Sequence, residues 1–148
     1  MRNAVVVDAS IAIKWVLNEE DSNIALSLLA EWTDRKTHML APALLAYEIT
    51  NILHKKVRSG KISVDTAKNC LTQIILRALQ LDLPRGPNQS IRAIEFAHRY
   101  NLPATYNSHY LALAEREDCE LWTADTRLWN SINGKLSWVR WMAEDSAL

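Results

Sequence analysis

The chain has 148 residues, 49% of them apolar and 23% charged, which describes one ordinary globular domain long enough to bury a core. Lys and Arg total 17, as do Asp and Glu, so bulk electrostatics announce no nucleic-acid partner and any basic surface has to be local. Cys70 and Cys119 form no CxxC or zinc-type spacing, and both are expected as buried thiols in a reducing compartment. No apolar run approaches the roughly 18 residues of a membrane helix. The apolar run at Val5–Val7 leaves no place for a signal peptide, so a cytoplasmic protein with no membrane association is expected.

In chain order, Arg2–Asp8 reads as a buried parallel strand and Ala9–Leu17 as a first helix. Ser22 is placed to cap a second helix through Trp32. His38–Leu40 reads as a strand, with Pro42 in the first turn of a helix from Ala43 to Arg58 that stops at Ser59-Gly60. Ser63 opens a helix with Ala67, Leu71, Ile74, Ile75 and Ala78 on one face, and Leu79, Leu81 and Leu83 then alternate like a half-buried strand. After a turn at Pro84–Pro87 comes a helix from Gln89 to Tyr100. Asn107 stands where an N-cap belongs, before Tyr110, Leu111, Leu113 and Ala114. Glu120–Thr123 reads as a strand, Thr126–Asn130 as a short helix and Leu136–Trp141 as a last strand. This alternation predicts a single α/β domain over residues 1–148, with a mostly parallel sheet of about five strands covered by helices on both faces. Only three glycines occur, so no Gly-rich phosphate loop is present.

Two strand ends carry the chemistry. Asp8 ends VVVD and Asp125 ends LWTAD, and in an open α/β sheet both would reach the crevice beyond the carboxyl ends of the strands. The alternative role for each is to cap the helix that follows. Ser10 can orient a carboxylate or cap a helix, and Thr123 can support the site through its hydroxyl. Glu48 lies beside an apolar stripe containing Leu44, Leu45 and Ile52, where a half-buried charge is costly unless paired or bound to metal. Lys55 or Lys56 would be the pairing alternative, and Asn51, one turn on, faces the same way. Asn107 by itself reads as a helix cap. Several oxygen ligands in one crevice suit a hard cation such as Mg²⁺ or Mn²⁺. The histidines fit no HExxH-type zinc motif, and His109 is expected on a helix surface. The D-x-S spacing at Asp8 argues against a haloacid-dehalogenase phosphatase, and a receiver-like phosphoacceptor lacks the paired acids at the first strand.

The segments VVVDASIAIKW, LLAYEITNIL, LPATYNSHYLALAE and LWTADTRL resemble the PIN-domain ribonucleases, and more closely the toxin halves of VapBC toxin–antitoxin modules. The resemblance covers essentially the whole chain. It implies a PIN-like fold and Mg²⁺- or Mn²⁺-dependent endonucleolytic cleavage of RNA. It also implies a homodimer inhibited by a cognate antitoxin, with promoter DNA bound only through that antitoxin. Asp8, Glu48 and Asp125 match three of the family's four acidic positions. The fourth, in the family's tyrosine–aspartate–alanine motif, falls on Asn107, which keeps an oxygen ligand but loses a charge. A PIN-fold binding module with weak or no catalysis is the competing reading. For the RNA itself, Lys14, Lys55, Lys56 and Arg58, with Lys61, are the candidate phosphate contacts. Trp129, Trp138 and Trp141 are expected to pack rather than stack on bases.

Overall fold

The computed structural model describes residues 1–76 and 79–144, so Ala78 of the fourth predicted helix lies outside the described residues, as does the Ile75 side chain. Five strands, β1 (Ala4–Val7), β2 (His38–Pro42), β3 (Leu79–Asp82), β4 (Glu120–Thr123) and β5 (Val139–Trp141), form one sheet in the order β3-β2-β1-β4-β5. Every pairing is parallel. Around the sheet lie α1 (Ala9–Ala12), α2 (Ser22–Asp34), α3 (Leu44–Arg58), α4 (Val64–Leu76), α5 (Asn88–Arg99), α6 (Tyr106–Arg116) and α7 (Thr126–Ile132).

All four residues of β1 are buried. That is why the strand reads as an unbroken apolar run: a central parallel strand has helices over both faces. The chain moves outward from β1 to β2 and β3, then returns to β1's other side as β4 and β5. The order therefore reverses between β1 and β4, where an open α/β sheet leaves its crevice. Val7 stands opposite Trp122 in the register, so the residues just beyond each strand, Asp8 and Asp125, emerge at this one place.

The helices are anchored by simple apolar stripes. In α3, Leu45, Ile49 and Leu53 repeat every fourth residue and all are buried, each contributing about 1.5–3 kcal/mol by leaving water. Gly60, at φ +74°, takes the left-handed turn that ends this segment. Trp32 of α2 meets Trp122 of β4 edge-on at 5.7 Å. Phe96 packs on Tyr100 and Trp138, and Trp129 on Trp141 at 5.9 Å, so these late tryptophans do pack against the body of the protein.

Several element boundaries differ from expectation: β1 is Ala4–Val7 rather than Arg2–Asp8, and Leu83 falls beyond β3. The helix predicted over Ala9–Leu17 ends early, tightening into a 3-10 turn at Ile13–Trp15. Ser22 is not a cap but the first residue of α2; Asp21 precedes it in the left-handed region, and the Ser22 hydroxyl donates to the Leu17 carbonyl at 2.9 Å. Pro42 does not open α3 but ends β2, paired with Asp82, a strand terminus where its missing N–H is tolerated. The last strand is only Val139–Trp141.

Candidate active site

Asp8 is 2% exposed. One of its oxygens accepts the backbone N–H groups of Ser10 (3.1 Å) and Ile11 (3.4 Å), together with the Ser10 hydroxyl. Its other oxygen accepts the hydroxyl of Thr123, which is fully buried on β4. The two hydroxyls also lace the strand ends together. Ser10 Oγ accepts the Ala124 N–H at 2.9 Å, and Thr123 Oγ1 accepts the Asp125 N–H at 3.0 Å. Burial pushes the Asp8 carboxyl up to about 6, against the lowering by Ser10 and Thr123, and the nearby Asp125 charge pushes the same way as burial.

Asp125 repeats the motif with more water around it. One oxygen accepts the N–H groups of Arg127 (2.9 Å) and Leu128 (3.3 Å), capping α7. Its second oxygen faces Asn107, whose side-chain amide donates to it at 3.3 Å. Both aspartates are therefore helix caps, and they are also neighbours in one crevice.

Glu48 arrives from α3. It is half-buried and accepts the Tyr110 hydroxyl of α6 at 2.6 Å. Burial raises its pKa, the Tyr110 hydrogen bond opposes that, and the Asp125 charge adds to it. The sequence alternative, a pair with Lys55 or Lys56, is not formed: Lys56 lies 3.6 Å from Glu19, which also holds Lys14 at 3.6 Å. Asn51 is exposed, with no hydrogen bond to Glu48 among the described residues. Tyr110 does that work instead. It is 1% exposed, and burial first, then the Glu48 charge, drives its phenol far above the usual range. Sequence reading placed Tyr110 only on the apolar face of its helix. The available signal was its spacing, three residues beyond Asn107 on the same side of α6.

Asn107 is a correction. It is not the N-cap of α6, since Thr105 precedes the helix and caps with no side-chain bond. Asn107 is the second helical residue, and this leaves its amide free to reach Asp125. His109, on the next part of the helix, brings Nδ1 to within 2.7 Å of the Thr105 carbonyl and takes no part in the acidic cluster.

The donors are hard oxygens, and among the described residues no cationic side chain offsets the burial of Asp8 or Glu48. A buried acid in that condition suits a divalent cation. The acids are not drawn into a finished cage: no three Asp, Glu, His or Cys side chains converge on one point among the described residues. Their oxygens are occupied by Ser10, Thr123, Tyr110 and Asn107. The donor set thus fits a cation, and Asp8, Glu48 and Asp125 would hold it. Two hollows lie elsewhere: about 620 Å³ beside Asp82, Arg85 and Arg116, and about 670 Å³ beside Leu29, Trp32 and Met39.

An all-parallel sheet that collects carboxylates at its strand-order reversal defines an open α/β protein whose ligand crevice is acidic. The PIN-domain family model matches residues 5–134, and the chain belongs to that family. PIN domains are generally nucleases and typically use divalent metals. The crystal structure of PAE2754 from Pyrobaculum aerophilum is similar to this chain at a TM-score of 0.65, with 20% sequence identity. The likeness covers 86% of this chain and 78% of that one, and at such identity it speaks to the fold. No curated protein matches the chain. No helix among the described residues is long and apolar enough to cross a membrane.

Proposed function

We propose that this PIN domain is a Mg²⁺- or Mn²⁺-dependent endoribonuclease, the toxin of a VapBC-type module. As such it would form a homodimer in the cytoplasm, be neutralised by a cognate antitoxin, and meet promoter DNA only through that partner. The observation that carries the catalytic part is the mutual arrangement of Asp8, Glu48 and Asp125. Three acids, just beyond β1, on α3 and just beyond β4, stand close enough for the Asp125 charge to raise both others, with no cation among the described residues offsetting them. The partner assignments rest on the motif resemblance.

When bound, the metal would supply an activated water and neutralise charge on the scissile phosphate. The chain's own residues prepare for that. Ser10 and Thr123 fix the Asp8 carboxylate between the two strand ends. Tyr110 holds Glu48 toward the crevice, and Asn107 steadies Asp125. Near pH 6 Asp8 gives up its proton, leaving a full carboxylate for the cation.

One observation favours a second reading, a binding module with weak turnover. Asn107 offers Asp125 an N–H donor where the family pattern has a fourth acid, so the site carries one negative charge fewer. The test is cleavage of a mixed RNA pool with Mn²⁺, Mg²⁺ or EDTA, by the chain and by Asn107→Asp. Metal-dependent cutting by both, stronger in the Asp form, supports the nuclease. If both fold and neither cuts, the nuclease reading fails and the binding module stands.

A further inference from the structure

The hollow of about 620 Å³ lies between the end of β3, the segment leading into α5, and the last turn of α6. It is separate from the acidic crevice: Asn107 stands at the start of α6 and Arg116 ends it, about 14 Å away along the helix axis. Two forked arginines hold its walls together. Arg92 donates Nε and Nη2 to the two oxygens of Glu115, at 2.6 and 2.7 Å, and Nη1 to Glu95 at 2.7 Å. Arg116 donates to Asp82 at 2.8 Å, to Glu117 at 2.9 Å and to the side-chain oxygen of Gln89. Forks of this kind fix geometry as well as charge, so β3, α5 and α6 present a preformed cavity.

The charges in these walls are not equivalent. Asp82, Glu115 and Glu117 are each already held by a guanidinium, and the Arg92 bonds keep the Glu115 carboxyl below its usual range. A cationic ligand would have to displace an arginine. Arg85 also lines the hollow, yet it forms no ion pair or hydrogen bond among the described residues. The same holds for the side chains of Gln80 and Asn88 in the wall, and Gln89 commits only its oxygen. The open capacity is therefore one guanidinium and a set of carboxamides, which both donate and accept.

Arg92 adds a flat surface. Its guanidinium lies 4.4 Å from the centre of the Phe96 ring. Phe96 is buried and forms no part of the wall, whereas Arg92 does. One face of the guanidinium is thus covered, and the opposite face is left for a planar ligand. Guanidinium planes stack on nucleobases as they do on aromatic rings. We infer that this hollow is a site for a nucleoside monophosphate, with the phosphate on Arg85, the base over Arg92, and the polar edge of the base met by the carboxamides of Gln80, Asn88 and Gln89. Its volume falls within the range of small-ligand pockets, about 300–1,000 Å³. A bare inorganic anion would leave the guanidinium plane and the amides unused. The assignment is independent of the nuclease reading.

The test is calorimetric titration with uridine and adenosine 5′-monophosphates, and with uridine, ribose 5-phosphate and inorganic phosphate as partial probes. EDTA is present, so that no divalent ion draws phosphate to the acids. A nucleotide is expected to saturate one site, with each partial probe weaker by about 10-fold or more. Arg85→Ala should weaken the nucleotide about 10- to 150-fold, Arg85→Lys should keep part of the affinity, and Asn88→Ala should cost a few-fold. Melting temperatures equal to the parent's would show that these variants fold. Asp125→Asn should bind as the parent does, because the crevice is a different place. No saturable binding of either nucleotide at about 1 mM overturns the site, as does undiminished binding by Arg85→Ala. Inorganic phosphate binding as tightly as the nucleotides overturns the ligand class, and binding lost in Asp125→Asn would put the nucleotide in the crevice instead. RNA cleavage is not the readout, so a failed nuclease reading leaves this result untouched.

Discussion

The ends of β1 and β4 are built alike and behave differently. Each strand runs into an aspartate, and each aspartate accepts two backbone N–H groups of the helix that follows. Yet Asp8 is 2% exposed with its second oxygen taken by Thr123, while Asp125 is half-buried and turns its second oxygen to the Asn107 amide. The local sequence motif supplies the cap. The surroundings decide the chemistry: at Asp8 burial outweighs the hydrogen bonds and lifts the carboxyl to about 6.

Exchanging each aspartate for asparagine breaks the comparison most sharply. Asp8→Asn should lower metal-dependent cleavage more than about 100-fold, since even supporting groups around a metal typically cost 10- to 100-fold. It should also make the fold more stable at pH 7.5. Folded Asp8 keeps its proton to about 6, whereas the unfolded carboxyl loses it near 3.8. The folded state therefore binds more protons between those values, and stability falls as pH rises through that window, by at most about 3 kcal/mol. Urea titrations from pH 4 to 7.5 should show that slope in the parent and a smaller one in Asp8→Asn, where the raised Glu48 still contributes. Asp125→Asn keeps an equally good cap and should change stability by less than about 0.5 kcal/mol. Equal stability changes in the two variants would mean that burial does not distinguish the strand ends.

Thr123→Val attacks the lacing between them. It leaves an Asp8 oxygen and the Asp125 N–H without their shared partner, so thermal or urea unfolding should register a loss of about 1–3 kcal/mol. No measurable loss would show that water replaces the hydroxyl. Asn107→Asp makes the Asp125 side more like its counterpart by adding charge. Calorimetric titration with Mn²⁺ should show affinity rising about 10-fold or more, with the metal-free fold weakened by about 1 kcal/mol of like-charge repulsion. Unchanged affinity would place residue 107 outside the ion's reach. The smallest effect is expected at Tyr110→Phe, which removes one hydrogen bond to Glu48 and should cost about 1 kcal/mol of stability. It should also shift the acid limb of the cleavage profile upward, since that bond holds the Glu48 pKa down.

Much of this was legible because the central strands are buried on both sides. VVV before Asp8 and LWT before Asp125 have no other reading in an alternating chain, and β4 runs over Glu120–Thr123 as the pattern predicts. What misled were residues whose local preference competes with their tertiary place. Asn107 and Ser22 look like caps, but both lie inside their helices, because α6 starts after a Thr105 that makes no cap bond and α2 after a left-handed Asp21. Asn51 shares a helix with Glu48, yet the partner came from another helix. Tyr110 was hidden for a plain reason: an apolar face predicts burial for its ring and says nothing of where its hydroxyl points.

The double duty of Asp8 and Asp125 bears on how such a chain ages. Each secures the helix behind it, so a descendant with no chemistry left in the crevice would still suffer if either were replaced by an apolar residue. Asn107 bonds the Asp125 side chain rather than a backbone group, so exchanging acid for amide there bears more on what the crevice attracts than on the fold. The two aspartates are thus poor witnesses to a working enzyme, since folding alone is reason to keep them. Residue 107 is the more candid one, and a survey of living relatives would read activity there first.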